Sequence, residues 1–398
     1  MSARLIETEV FAELPPRLRK NGTPSERLAA GKATPMGSFL EGPSFDRDGN
    51  LYVVDLAWGR IFRIDEKGVF DVVLEYDGEP NGLAIHKDGR IFIADHKHGI
   101  LRLEDGKPVP VVSRYHQQTF KGVNDLTFDQ QGNLYFTDQG VTDLADPTGC
   151  VYCYTADGKL VQLANCIPSP NGLVVDTNVV YVAATRANAV WRLPLAPDGT
   201  VVRIGVFLHL SGGRGPDGMA MDESGGLAVA HVDFGAVWIF SHRGEALYRV
   251  QSCRSDMVTN VAYKGGEIYI TDSGSGCILR AKVPTAGRPL YSHLSTPPGM
   301  RFARRTLMKK TTLLTLAAAI ALGAAACDRN TGQSKSASSP EAGAGASAPR
   351  ESSTPSTPAN LGQPQSQAEK SEGANPVQQQ VDPKEGAQQR DFRTRGGG

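Results

Sequence analysis

A short sequence motif that recurs at a nearly fixed interval limits what this chain can fold into. The motif places one oxygen-bearing side chain before a run of apolar residues, as in Pro216–Gly218 (Pro-Asp-Gly) and Pro170–Gly172 (Pro-Asn-Gly). The copies carry Glu41, Asn81, Asn124, Asn171, Asp217 and Asn260. Successive copies are 40, 43, 47, 46 and 43 residues apart. A period in this range is typical of an array of supersecondary units.

Each unit holds short apolar strands that are joined by Gly-containing turns, such as Asp48-Gly49-Asn50. No stripe of apolar residues with helical spacing occurs between residues 36 and 284. Short strands at this spacing indicate an all-β protein. Units of about 40–45 residues with four strands each have the size of β-propeller blades. The sequence therefore predicts a six-bladed β-propeller over residues 36–284.

The two ends of this region suggest how the ring closes. The sixth unit stops near Pro284, which leaves little chain for an outer strand. The N-terminal segment, residues 1–35, contains one candidate strand from Glu9 to Leu14. We expect this strand to complete the sixth blade, because closure removes exposed sheet edges.

The composition changes after the propeller. Residues 285–310 form a basic linker, and residues 311–327 form an apolar segment that ends at Cys327. Residues 328–398 are rich in Ser, Pro, Ala, Gly and Gln. They have too few large apolar side chains to form a core, so we predict a disordered C-terminal tail.

The basic and apolar segments together resemble a bacterial lipoprotein signal with its lipidation cysteine, placed inside the chain. The favoured interpretation is a second gene product that is read through in frame from Met300 or Met308. A second interpretation is a membrane anchor, although the apolar run is shorter than the roughly 20 residues of a spanning helix. A third interpretation is an appendage without a role. Membrane contact, at the inner membrane, is expected only if residues 311–327 insert.

Charge and cysteine content exclude other classes of protein. The chain has 42 basic and 42 acidic side chains, which argues against a nucleic-acid partner bound through bulk electrostatics. Cys150 and Cys153 form a CxxC pair, but residues three apart on a strand face opposite sides of the sheet. They are therefore expected to be buried thiols. The first residues lack the apolar stretch of a secretory signal, so the propeller is predicted to be cytoplasmic.

The repeat also predicts a site. The innermost strand of every blade lines the propeller axis, so the side chains that open these strands should form one ring at one end of the channel. Glu41, Asp217 and the amides make an all-oxygen donor set, which suits Ca²⁺ or Mg²⁺. Two carboxylates in a narrow channel repel each other unless a cation lies between them. The alternative is that Asn and Asp before Gly only make turns, although Glu41 has no such preference.

Four of these motifs, in this order and spacing, resemble those of the SMP-30/gluconolactonase/LRE-like family over about residues 36–284. They are Glu41–Pro43, Asn124-Asp125, Pro170–Gly172 and Pro216–Gly218. Relatives in this family include regucalcin, a bacterial lactonase and diisopropyl fluorophosphatase. The resemblance implies a six-bladed propeller with a divalent cation in its channel, and hydrolysis of a small-molecule lactone.

The resemblance also implies roles for single residues. Glu41, Asn124, Asn171 and Asp217 match metal ligands, with Ca²⁺ the first choice and Mg²⁺, Mn²⁺ or Zn²⁺ the alternatives. Asn124 matches a residue that contacts the metal or the substrate, depending on the branch of the family, and Asp217 matches the general base. Gly122 stands where the animal enzymes have arginine, so the identity of the lactone is left open. A phosphotriesterase-like hydrolase and a non-enzymatic binding scaffold remain as rival functions.

Three histidines follow second strands of their blades and should lie on the same face as this site. They are His96, His98 and His231. One of them could contact the substrate or carry a proton. The plainer expectation is that they are solvated side chains on the rim.

Overall fold

The computed structural model describes residues 3–22 and 37–294 of the chain. Within these residues the chain forms six sheets of four or more strands. The innermost strands of the six sheets contact one another in cyclic order, and the sixth also contacts the first. The sheets therefore close into a six-bladed β-propeller, as predicted. The predictions for residues 23–35, 295–310, 311–327 and 328–398 fall outside the described residues.

Each blade begins at the axis, and its strands follow one another outward in an antiparallel meander. Blade 1 comprises Leu40–Phe45, Leu51–Asp55, Arg60–Ile64 and Phe70–Glu75. Blade 2 comprises Pro80–Ile85, Ile91–Asp95, Gly99–Glu104 and Lys107–Val112. Blade 3 comprises Val123–Phe128, Leu134–Asp138, Gly149–Tyr154 and Leu160–Ile167. A small hairpin, Arg114–Tyr115 with Gln118–Thr119, joins blades 2 and 3.

The second half of the ring follows the same plan. Blade 4 comprises Pro170–Asp176, Val179–Ala184, Ala189–Pro194 and Gly205–His209. Blade 5 contains Gly215–Met221, Leu227–Val232, Ala236–Phe240 and Ala246–Gln251. Blade 6 contains Val258–Lys264, Glu267–Asp272 and Cys277–Lys282. Short 3-10 turns are formed by Pro16–Leu18, Leu56–Trp58, Thr185–Ala187 and Tyr291–His293. Among the described residues, no helix has the length and apolar content needed to cross a membrane.

The start of the chain joins the last two blades. Glu9–Glu13 pairs antiparallel with Cys277–Lys282 and forms the outer strand of blade 6. Arg4–Glu7 pairs parallel with the outer strand of blade 5. Between them, the Thr8 hydroxyl donates a hydrogen bond to the carbonyl oxygen of Gln251 at 3.0 Å. The N-terminal residues thus hold two blades at once, and the sheet edges that an open ring would expose are covered.

Within the part of the chain that the structure describes, the core consists of six apolar clusters, and each cluster lies between two neighbouring blades. Between blades 1 and 2, for example, Val54 and Ile61 pack with Leu83 and Ile93. Both faces of each sheet are buried in this way, which explains the nearly continuous apolar runs of the strands. Cys150 and Cys153 lie in two different clusters. They therefore occupy opposite faces of blade 3 and are buried free thiols, as predicted.

All innermost strands begin at the same end of the ring, which we call the upper face. The opposite end of the channel is covered by residues 286–294, which belong to the interval assigned from sequence to the linker. There, Arg288 donates its backbone N–H to the carbonyl of Met221 at 3.0 Å, and its side chain pairs with Asp176 at 2.6 Å. The Tyr291 ring contacts Phe128. A cavity of about 190 Å³ remains above this segment.

A buried ion pair anchors the chain just before blade 1. The Arg60 guanidinium lies 2.5 Å from the Asp55 carboxylate, and these side chains are 2% and 0% exposed. Asp55 also accepts the backbone N–H of Phe39 at 2.8 Å. Since Phe39 directly precedes Leu40 and Glu41, this pair fixes the entry to the first inner strand.

Replacing Asp55 with alanine should lower the free energy of unfolding by about 3–5 kcal/mol, because Arg60 would stay buried without its counter-charge. Asp71 pairs with Arg63 in the same blade, but both side chains are largely exposed. Its alanine variant is the matched control and should cost about 0–1 kcal/mol. Urea unfolding of the two variants measures both values. Equal losses would contradict a stabilising role for the buried pair.

Candidate active site

The six side chains predicted to form a ring lie inside the innermost strands and not in turns before them. We call them the ring residues: Glu41, Asn81, Asn124, Asn171, Asp217 and Asn260. In every one of the six strands, the pairing register shifts at or beside the ring residue, as between Glu41 and Ser44 and between Pro216 and Met219. Such a bulge adds a residue to one strand and re-aims a side chain. The alternative that these residues only make turns was wrong, because the bulge accommodates them within the sheet.

The glycine after a ring residue serves close approach between neighbouring blades. A Cβ atom on Gly82 would lie 2.7 Å from Oδ1 of Asp125 in blade 3. A Cβ atom on Gly218 would lie 2.0 Å from Oδ1 of Asn260 in blade 6. Glycine is needed here because the polar groups of adjacent blades occupy the space that a side chain would need.

The structure gathers the predicted residues at the upper end of the channel. Glu41, Asn124, Asn171 and Asp217 are 4%, 2%, 8% and 8% exposed. Glu41 of blade 1 and Asp217 of blade 5 are close enough for their charges to interact. The other two ring residues, Asn81 and Asn260, are also buried. Two carboxylates from distant parts of the sequence therefore meet in a water-poor channel.

Glu41 lies in an environment that disfavours its negative charge. Burial raises the pKa of its carboxyl well above the ordinary value, and the carboxylates of Asp217 and Asp125 raise this pKa further. The Nδ2 atom of Asn260 donates to Oε2 of Glu41 at 3.2 Å, which acts in the opposite direction. The electrostatic conflict would be relieved by a cation between the carboxylates.

Asp125 is a buried acid to which the sequence pattern assigned no role. Burial raises the pKa of its carboxyl from 3.8 to about 7. Its Oδ1 accepts the backbone N–H of Leu126 at 2.8 Å, and Asn260 also bonds to it. Asn260 therefore connects Asp125 with Glu41. The signal in the sequence was that an acid follows Asn124 where Asn81, Asn171 and Asp217 are followed by glycine.

Asn124 is held in one orientation by its neighbours. Its Nδ2 donates to Oε1 of Gln139 at 2.8 Å, and Gln139 donates to the Ser169 hydroxyl at 3.0 Å. With the amide nitrogen engaged, the carbonyl oxygen is the atom that can meet a cation or a substrate. The hydroxyl of Thr137 donates to the backbone carbonyl of Asn171 at 2.8 Å and so positions the next inner strand.

A second set of acids positions the ring from behind. Each acid ends the second strand of its blade and accepts the backbone N–H two residues before the ring residue. Asp95 accepts from Glu79 at 2.9 Å, and Asp138 accepts from Gly122 at 2.7 Å. Asp55 holds Phe39 in the same manner. These carboxylates fix the backbone, as expected for groups that support a site without contacting its ligand.

The donor set fits a hard divalent cation. Within the described part of the chain, no cluster of three His, Cys, Asp or Glu residues has the spacing of a metal site. A cation would therefore need the asparagine oxygens in addition to Glu41 and Asp217. Carboxylate and amide oxygens are the ligands that Ca²⁺ and Mg²⁺ prefer. The chemistry of these four ring residues is consistent with such an ion.

The surroundings differ among His96, His98 and His231. His231 is buried, bonds to the carbonyl of Gly212 at 2.9 Å and stacks on Phe234. Burial lowers the pKa of its imidazole, so His231 is a neutral packing residue. His98 bonds to the carbonyl of Asp77 at 2.7 Å on the exposed rim. His96 lies directly against Gly122.

The propeller is similar in sequence to known lactonases. Residues 39–274, which include every ring residue, match the sequence model of the SMP-30/Gluconolactonase/LRE-like region. Lactonase drp35 of Staphylococcus aureus (strain MRSA252) is 31% identical over 263 residues, which covers 62% of this chain and 75% of the relative. Lactonase drp35 of Staphylococcus haemolyticus (strain JCSC1435) is 31% identical over 229 residues, which covers 54% and 69%.

Solved structures share the fold at lower identity. A gluconolactonase of Xanthomonas campestris is 24% identical with a TM-score of 0.56, covering 67% of this chain and 99% of that chain. A calcium-binding regucalcin of Agrobacterium tumefaciens is 21% identical with a TM-score of 0.58, covering 73% and 99%. At these identities the structures support the propeller architecture alone.

The raised pKa of Asp125 predicts how pH affects the cation-free protein. A carboxyl whose pKa is higher in the folded chain stabilises the fold fully below its ordinary value of 3.8, and this contribution is lost as pH rises to about 7. In EDTA, the free energy of unfolding of the parent should therefore fall as pH rises from about 5 to about 8. This fall should be smaller by a few kcal/mol in Asp125→Asn, which has no carboxyl group to ionise at this position. Urea unfolding at both pH values tests this.

Asp143→Asn provides the control, because Asp143 is an exposed loop carboxylate on the same face. Its variant should follow the pH dependence of the parent. If Asp125→Asn also follows the parent, the ionisation of Asp125 does not oppose folding in this pH range.

Proposed function

The chain belongs to the SMP-30/gluconolactonase/LRE-like family, and on this premise we propose that it is a divalent-cation-dependent lactonase. The substrate is a small cyclic ester, and water opens its ring to give a hydroxy acid. The observation that carries the proposal is the meeting of Glu41 and Asp217 among amides at one end of the channel. The curated lactonases that resemble this chain support the reaction class.

Glu41, Asn124, Asn171 and Asp217 are the residues that would hold the cation. Ca²⁺ is the first choice because the donors are all oxygen, with Mg²⁺, Mn²⁺ or Zn²⁺ as alternatives. When bound, the ion supplies Lewis-acid polarisation of the lactone carbonyl and compensates developing negative charge. Gln139 prepares Asn124 for this role by engaging its amide nitrogen.

Asp217 is proposed as the general base. Its carboxylate accepts a proton from water as the water oxygen bonds to the carbonyl carbon. The ring C–O bond then breaks, and the proton passes to the leaving alkoxide oxygen, which completes the hydroxy acid. No Ser or Cys nucleophile is needed. The burial of Asp217 keeps bulk water away, so that charges act strongly on the reacting atoms.

The remaining polar residues hold this arrangement rigid. Asn260 bonds to Glu41 and Asp125, which fixes the carboxylates of blades 1 and 3 relative to each other. Asp95 and Asp138 fix the backbone that leads to Asn81 and Asn124. Rigid placement of catalytic groups lowers the entropic part of the barrier.

Asp217→Asn should reduce kcat for lactone hydrolysis by about 10²–10⁴-fold, because the amide cannot accept the proton of water. EDTA should abolish the activity of the parent, and Ca²⁺ should restore it. Asp233→Asn is the matched control, since Asp233 is an exposed acid on the same face of blade 5 that pairs with Arg214. It should keep the parental rate. A pH-stat assay on five- and six-membered lactones measures these rates.

Several outcomes would contradict the proposal. An unchanged rate for folded Asp217→Asn in the presence of Ca²⁺ would exclude Asp217 as the base. Activity that survives EDTA would exclude the cation. Hydrolysis of a fluorophosphate without hydrolysis of any lactone would favour a phosphotriesterase-like enzyme. The absence of both reactions with all four cations would favour a binding scaffold.

A further inference from the structure

Blade 4 lacks the acid that supports the inner strand in blades 1 to 3. In those three blades, an aspartate pairs with the residue before the ring residue. Its carboxylate accepts the backbone N–H two residues before the ring residue. The residue at this position in blade 4 is Ala184, which pairs with Pro170 directly before Asn171. A methyl group accepts no hydrogen bond, so the backbone that leads into Asn171 needs another support.

The loop between the second and third strands of blade 3, residues 139–148, supplies this support. Ser169 lies two residues before Asn171, and its backbone N–H donates to the hydroxyl oxygen of Thr142 at 3.1 Å. The Thr142 hydroxyl donates to the carbonyl of Gln139 at 2.7 Å, which fixes its orientation. Nε2 of Gln139 donates to the hydroxyl oxygen of Ser169 at 3.0 Å. Two residues of blade 3 therefore do for blade 4 what an aspartate does in blades 1 to 3.

The backbone of Ser169 has a conformation that depends on such support. Its φ is +58°, in the left-handed region that residues other than glycine rarely adopt. Its carbonyl accepts the backbone N–H of Thr185 at 3.1 Å, so its N–H, hydroxyl and carbonyl groups are all bonded within the protein. Gln139, Thr142 and Ser169 are all buried. A strained backbone persists where its surroundings leave it no alternative, and here the blade 3 loop provides those surroundings.

Gln139 connects this support to a second ring residue. Its Oε1 accepts Nδ2 of Asn124 at 2.8 Å, while its Nε2 bonds to Ser169. One amide group thus links the ring residue of blade 3 to the backbone that leads into the ring residue of blade 4. Asn124 and Asn171 are both among the residues that would hold the cation. Loss of the contacts that Gln139 and Thr142 make would therefore disturb two oxygen donors at once.

We propose that Gln139 and Thr142 are positioning residues that fix the Asn124 and Asn171 oxygens relative to each other, and so determine how tightly the channel binds its cation. The inference rests on the cation site of the proposed function. It adds two residues that act through the ligands. Removing a group that orients a metal ligand typically weakens metal binding by about 10–100-fold.

Thr142→Val tests the link to blade 4, because valine has the shape of threonine without the hydroxyl. The dissociation constant for Ca²⁺, measured by isothermal titration calorimetry on EDTA-stripped protein, should rise by about 10-fold. Thr142→Ser keeps the hydroxyl and should retain most of the parental affinity. Thr148→Val is the matched control, since Thr148 is an exposed residue of the same loop whose hydroxyl bonds to Asp146. It should keep the parental dissociation constant.

Gln139→Met is a second variant, which removes both bonds of the amide while it keeps a side chain of similar length. Its dissociation constant for Ca²⁺ should rise at least as much as that of Thr142→Val, because Asn124 and Ser169 are both affected. Calorimetry on the stripped variant measures this value in the same way.

The outcomes separate the inference from the proposed function. Urea unfolding in EDTA is measured for every variant. A purely structural role would lower the free energy of unfolding and leave Ca²⁺ binding by the folded protein unchanged, which would overturn the inference. Equal dissociation constants for Thr142→Val and Thr142→Ser would also overturn it. A parent that binds none of Ca²⁺, Mg²⁺, Mn²⁺ and Zn²⁺ would refute the cation site, and the inference with it. A parent that binds Ca²⁺ but opens no lactone would refute the lactonase alone, because the comparison of dissociation constants would still decide the inference.

Discussion

Repulsion between buried carboxylates at the propeller axis is the constraint that determines how the rest of the site is arranged. Glu41 and Asp217 come from blades 1 and 5, which flank blade 6, and Asp125 adds a third acid nearby. Such a group of charges costs folding free energy unless it is neutralised or paired. Asn260 offsets part of this cost through its bonds to Glu41 and Asp125. The remaining imbalance is what makes the channel suited to a cation, and a closed ring of blades is what prevents the acids from moving apart.

Much of the architecture could be read from the sequence because it is periodic. The interval between the motifs predicted the number of blades, and the position of the ring residues predicted that Glu41 and Asp217 would come together. The N-terminal strand could be foreseen as well, since the sixth unit lacked an outer strand. These inferences needed only strand length, turn residues and the geometry of a closed ring.

The details that depend on strand register could not be read in the same way. A bulge is a property of two paired strands, and a single sequence does not show how Pro216 and Met219 will pair. The glycines after the ring residues looked like turn formers, yet Gly82 and Gly218 are required by contacts with the next blade. Asp55, Asp95 and Asp138 looked like the ends of strands, although their carboxylates hold the backbone behind the ring.

The strand that completes the last blade comes from the beginning of the chain, and this sets the order in which the protein can be finished. Thr8 bonds to a residue 243 positions away, and Glu9 bonds to one 271 positions away. During synthesis, the first strands of the nascent chain therefore stay unpaired until the sixth blade has been synthesised. Contacts of such long range form late and slow the final step of folding. Until blade 6 has been synthesised, the unpaired edges of the first strands are therefore open to association with other chains.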